Sequence, residues 1–161
     1  MSTRLSLSVY ILVTALVAGT LDIISACVQF VLITGQPFTK VLVFVASGFF
    51  GKEAFTGDPV TMMWWGLLFH YLIALTFTTI FFLIFPKIPE LLRYPAASGL
   101  VYGILVWLIM NLLVIPLSQI PPRPFRLGNA VIGMLIIMVM IGLPIGLLAG
   151  RYYKRAGATK V

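Results

Sequence analysis

Four stretches of this chain, roughly 5–33, 59–85, 95–115 and 129–149, are apolar along nearly their whole length, and the one formally charged side chain among them is Asp22. At about 1.5 Å of rise per residue each is long enough to cross some 30 Å of hydrocarbon. Open strands cannot satisfy their backbone groups in lipid, so each span is a helix. A fifth apolar piece, Phe38 to Phe50, is bounded by Pro37 and Gly51 and reaches only about 20 Å as a helix. It is too short to cross and is expected to lie in the interface or to dip in and return. The fold class is therefore all-α: one polytopic transmembrane domain over residues 1–161, with four membrane helices and one short outer helix.

Composition agrees. The chain is 61% hydrophobic and 9% charged, with a mean hydropathy of +1.11, outside the range of soluble domains. A net charge of +7 in a soluble domain would suggest nucleic acid, but here the basic residues sit at span ends, where they meet headgroups and set orientation. The partner expected is thus the lipid bilayer and not nucleic acid. Arg4 followed by an apolar run and Leu16-Val17-Ala18 imitates a signal peptide. The run continues to Ile33, which makes it a retained first span.

Local signals fix several boundaries. Asp58 and Pro59 form an N-cap and first helical position for the second span. Gly150, ahead of Arg151, reads as the stop of the fourth. Arg4, Lys87, Arg93, Arg151, Lys154, Arg155 and Lys160 fall on one face, against Lys40, Lys52, Arg123 and Arg126 on the other. This asymmetry places both termini in the cytoplasm, with Tyr94, Tyr152 and Tyr153 at the inner boundary and Trp64 and Trp65 at the outer one.

Two residues stand out as candidate chemistry. Asp22 and His70 lie inside spans, where ionisable groups are costly and mark function unless they serve packing. Each is twelve residues from the outer end of its helix, about 18 Å deep. Ala15, Gly19, Asp22 and Ala26 form a small-residue stripe on the first helix, and Gly66, His70 and Ala74 form one on the second. Such stripes are where membrane helices approach closely, so the two ionisable groups are expected to face each other. Ser25, Gln29 and Asn111 would line the outer half of a polar centre around them. The competing structural reading is an interhelical hydrogen bond that fixes helix pairing.

Catalysis and cofactors find little support. The one histidine excludes two-histidine haem ligation within a single chain, no Cys/His cluster offers a metal set, and Cys27 reads as a packing residue. No carboxylate pairs with Asp22 within the spans, and no nucleophile has an evident base. The expectation is a protein without enzymatic activity and without cofactor. Gly142, Gly146 and Gly150 form a double GxxxG repeat around Pro144, and Gly99 and Gly103 a further pair; these faces serve helix packing, with a homo-oligomer or another membrane protein as a possible partner. Gly19 to Pro37 and Gly103 to Pro121 span the same length, a faint parallel duplication.

His70, the sequence Phe85-Pro86-Lys87-Ile88, Gly99, Gly103, Pro116 and Pro121-Pro122 together resemble the YagU-type family of small bacterial inner-membrane proteins. The resemblance covers mainly the second half of the chain, and the first half through a glycine-rich span ending at Pro37. It implies a multi-pass protein of the bacterial cytoplasmic membrane, in a family with a suggested link to acid resistance. The functional expectation is a small solute, ion or proton permeation protein, or a pH-responsive one, centred on Asp22 and His70. The alternative is a non-catalytic accessory or scaffold protein that binds other spans through its glycine faces.

Overall fold

The computed structural model describes residues 6–121 and 126–157; Arg4, Leu5, Pro122, Arg123 and Lys160 lie outside them. Among the described residues every regular element is helical. The chain forms α1 (Leu7–Thr34), α2 (Thr39–Phe50), α3 (Pro59–Ile84), α4 (Pro89–Arg93), α5 (Pro95–Leu117) and α6 (Leu127–Arg155), the last continuing as helix to Gly157. The helices α1, α3, α5 and α6 are each long and apolar enough to cross a membrane. Their lipid side carries a broad belt of exposed Leu, Ile and Val, including Leu12, Leu16, Ile24, Leu32, Leu112 and Leu135. In water such a surface would aggregate; in a bilayer it is the solvent boundary.

The N-terminus of α3 is set as its sequence requires. Asp58 accepts a hydrogen bond from the Thr61 backbone N–H at 2.8 Å, and Pro59 occupies the first turn. Hydrogen bonding to Thr61 holds the exposed Asp58 carboxyl below the ordinary carboxylate range. Gly150, by contrast, does not stop its helix. A Cβ there would meet Pro95 Cβ at 2.7 Å, so this glycine serves close approach, and the helix runs on through Arg151. The connection after α3 also holds a short helix, α4, that composition does not announce.

Packing is dense at the end of the bundle that carries the termini. Glycines of α5 and α6 face each other: a Cβ on Gly99 would lie 2.3 Å from the Gly142 carbonyl oxygen, and one on Gly142 2.2 Å from that of Gly99. Gly103 meets Met138 and Gly146 meets Pro95 in the same way. The glycine faces are thus covered by the chain's own helices. Phe82, Phe85, Val106 and Ile145 are fully buried beside them, with Ile11, Ala18, Phe77, Phe81, Tyr102, Ile141 and Ala149. The Tyr102 hydroxyl donates to the Phe77 carbonyl and that of Tyr153 to the Phe82 carbonyl, tying α3 to α5 and to α6.

Toward the other end the bundle loosens. No residue of 110–117 or 127–137 is buried. Each of α5 and α6 contains a wide turn directly before a proline: Ile115 N–H reaches back to Met110 O ahead of Pro116, and Leu143 N–H to Met138 O ahead of Pro144. Proline has no N–H to donate and its ring crowds the carbonyl four residues earlier, and a widened turn relieves both. At this looser end α2 crosses α3 so closely that a Cβ on Gly66 would lie 1.9 Å from the Leu42 carbonyl oxygen. Its far end is held by Gln119, whose backbone N–H donates to Gly48 O and whose side chain donates to Phe49 O. Phe49, Phe50, Trp65 and Phe69 form an aromatic cluster across the α2–α3 contact.

Replacing Gly142 by Leu should therefore force the α5 and α6 backbones apart and destabilise the bundle by ~3 kcal/mol. Gly128, with nothing within 4 Å of an added Cβ, should accept Ala within about 0.5 kcal/mol. Equilibrium unfolding of the two variants in mixed micelles checks both; equal stabilities would refute the glycine contact.

Candidate functional site

Asp22 and His70 sit where the dense half ends. On α1 the residues Ile11, Ala15, Ala18, Asp22, Ala26, Gln29 and Ile33 recur at three- and four-residue spacing and share one face. The first three are buried, Asp22 is half-buried, and the last three line a cavity. On α3 the corresponding face runs through Gly66, His70, Ala74, Phe77 and Phe81, with His70 half-buried between the α2 crossing and the buried core. The two side chains are close enough to interact electrostatically.

The geometry differs from a direct pair. His70 Nε2 lies 2.8 Å from the Gly19 carbonyl oxygen. A carbonyl only accepts, so Nε2 carries the proton in the neutral ring and Nδ1 holds the lone pair. Close approach of α1 and α3 explains the choice: a Cβ on Gly19 would stand 3.1 Å from the Tyr71 ring and 3.2 Å from Ala74 Cβ, so the missing side chain brings the carbonyl within reach of the imidazole. Tyr71 stacks edgewise on His70 and shares a 2.8 Å hydrogen bond with Thr20. This second interhelical contact escapes sequence reasoning, since Thr20 and Tyr71 each read as ordinary span residues.

The remaining candidates disperse. Ser25 donates to Leu21 O and Asn111 to Trp107 O, each within its own helix, and neither lines the cavity. Gln29 does. The cavity has a volume of about 830 Å³ and lies among the end of α1, the start of α2, the turn leading into α3, and Asn129 at the start of α6. Asp22 lies one helical turn beyond its deepest α1 residue, Ala26, on the same face. Lys40, hydrogen-bonded to the Gln36 side chain, is the charged side chain of the lining. Asn129 and Lys40 were not legible as site residues, because they reach the cavity only through the way α2 and α6 dock. Among the described residues no three His, Cys, Asp or Glu side chains cluster. No family model, curated protein or solved structure matches the chain.

The single histidine makes its ring a clean spectroscopic probe. With ¹⁵N-labelled histidine in bilayers, the neutral ring should show the Nε2–H tautomer, and acid should add its proton at Nδ1. A neutral ring protonated at Nδ1 would exclude the Gly19 contact.

Proposed function

We propose that the protein is a proton-responsive permeation protein of a bacterial cytoplasmic membrane, with Asp22 and His70 as its polar centre. The observation that carries this reading is their position: both lie on core-facing stripes at the level where close packing gives way to the cavity face. Water entering the cavity has one helical turn to travel to Asp22. On the other side, Phe82, Phe85, Val106 and Ile145 are fully buried in the bundle interior. On this reading the cavity is a vestibule closed at one end, which suits a gated protein better than an open pore.

The chemistry supplies a switch. Histidine is the side-chain type that changes charge between pH 5 and 8. With His70 neutral, an ionised Asp22 would have no cation beside it, and its desolvation cost would favour a hydrated, open vestibule. Protonation at Nδ1 sets a cation near that carboxylate while the Nε2–H bond to Gly19 persists, which lowers the cost of drying the centre. From the other elements packed on α3, α2 contributes Lys40, engaged with Gln36, α5 contributes Tyr102, engaged with Phe77 O, and α6 contributes Tyr153, engaged with Phe82 O. Acid thus shifts the balance between a wet and a dry centre, in keeping with the acid-resistance link of the family the sequence resembles.

His70→Gln keeps a donor for Gly19 O and removes the titration. It should fold and insert as the parent does, within about 1 kcal/mol, and lose any pH dependence of proton or ion flux in proteoliposomes. Flux with the parental pH dependence would make the pair structural. For orientation, in a Cys27→Ser background, Thr56→Cys should react with an impermeant thiol reagent added outside cells, and Lys154→Cys should not. The reverse pattern would invert the topology.

A further inference from the structure

The 830 Å³ cavity has a lining of two kinds. Phe30, Ile33, Val43, Phe44 and Phe55 give it an apolar wall, and Lys40 supplies a positive charge with no carboxylate among the lining residues. The Lys40 ammonium uses one of its three donors on Gln36 and keeps others for a ligand. Small-molecule sites combine mainly apolar walls with a few fixed polar groups at volumes of roughly 300–1,000 Å³, and this cavity falls within that range. Its α1 wall, within Ala26–Thr34, belongs to a membrane-spanning helix, which puts the cavity at the level of the bilayer and its amphiphiles. We infer that the cavity binds a single-chain anionic amphiphile, a long-chain carboxylate, with its headgroup at Lys40 and its hydrocarbon along Phe30 and Phe44.

Charge complementarity selects the headgroup. An ammonium-to-carboxylate hydrogen bond is charge-assisted and stronger than a neutral one, whereas a cationic amphiphile would meet Lys40 with like charge. The cavity volume, at the scale of one drug-sized ligand, selects one chain over two. The cavity is also the proposed water route to Asp22, but binding is read out without the proton response, so the two readings fail separately.

The test uses the full chain in nanodiscs with a diazirine-bearing palmitate as probe, beside the matching fatty alcohol and a diazirine-bearing phosphatidylglycerol. The palmitate should label residues 26–44 saturably, be displaced by unlabelled palmitate, and bind about tenfold more weakly to Lys40→Glu, with Lys40→Arg close to the parent. Ala26→Trp, which fills the cavity from α1, should suppress labelling while His70→Gln leaves it unchanged. Labelling by the alcohol with equal affinity, labelling by the phospholipid alone, or unsaturable labelling of the palmitate would each overturn the assignment.

Discussion

Close backbone approach at small residues is the interaction on which this molecule depends. Between helices in lipid there is no hydrophobic driving force, because the tails are as apolar as leucine, and association rests on van der Waals contact and hydrogen bonds. Contact of that quality requires bare backbone. The chain supplies it at Gly99, Gly103, Gly142 and Gly146 between α5 and α6, at Gly19 between α1 and α3, and at Gly66 between α3 and α2. Most of these positions lie in the half that carries the termini, and there the bundle is tight. Where α5 and α6 pass their wide turns and prolines, neither helix buries a residue toward its loop end, and space opens beside α1.

The candidate site follows from that gradient. Had Asp22 stood two turns earlier on its stripe, at Ala15, it would lie among buried residues with its carboxylate unhydrated. At its actual position it is half-buried, one turn from a cavity that holds Gln29, Asn129 and Lys40. His70 is fixed by a backbone carbonyl and not by a second side chain, so its orientation does not depend on the charge state of Asp22. The ring is thus anchored through Nε2, with Nδ1 holding its lone pair and the half-buried Asp22 side chain within electrostatic reach.

The four spans and the cap at Asp58 were legible in the sequence because each rests on a rule that acts locally: hydrocarbon thickness, backbone satisfaction and orphan N–H groups. The short helix α2 was legible for the same reason. Gly150 was not, since a glycine near a helix end serves either a left-handed cap or close contact, and only the docking of Pro95 decides. The shared depth of Asp22 and His70 was also readable from residue counting. Their indirect relation was not: at Gly19 the α1 backbone comes so near α3 that the imidazole meets a carbonyl first. The dispersal of Ser25 and Asn111 has a simple cause, because short polar side chains in a helix bond to the carbonyl one turn back when no partner is opposite.

The central claim is that water reaches the Asp22–His70 level from the looser end of the bundle while the half below stays dry. Water-edited solid-state NMR of the protein in bilayers tests it directly, by timing magnetisation transfer from water to assigned side chains. Transfer to Gln29 and His70 should be fast and transfer to Tyr102 and Phe82 slow. A His70 ring that fills as slowly as Tyr102 would contradict the account.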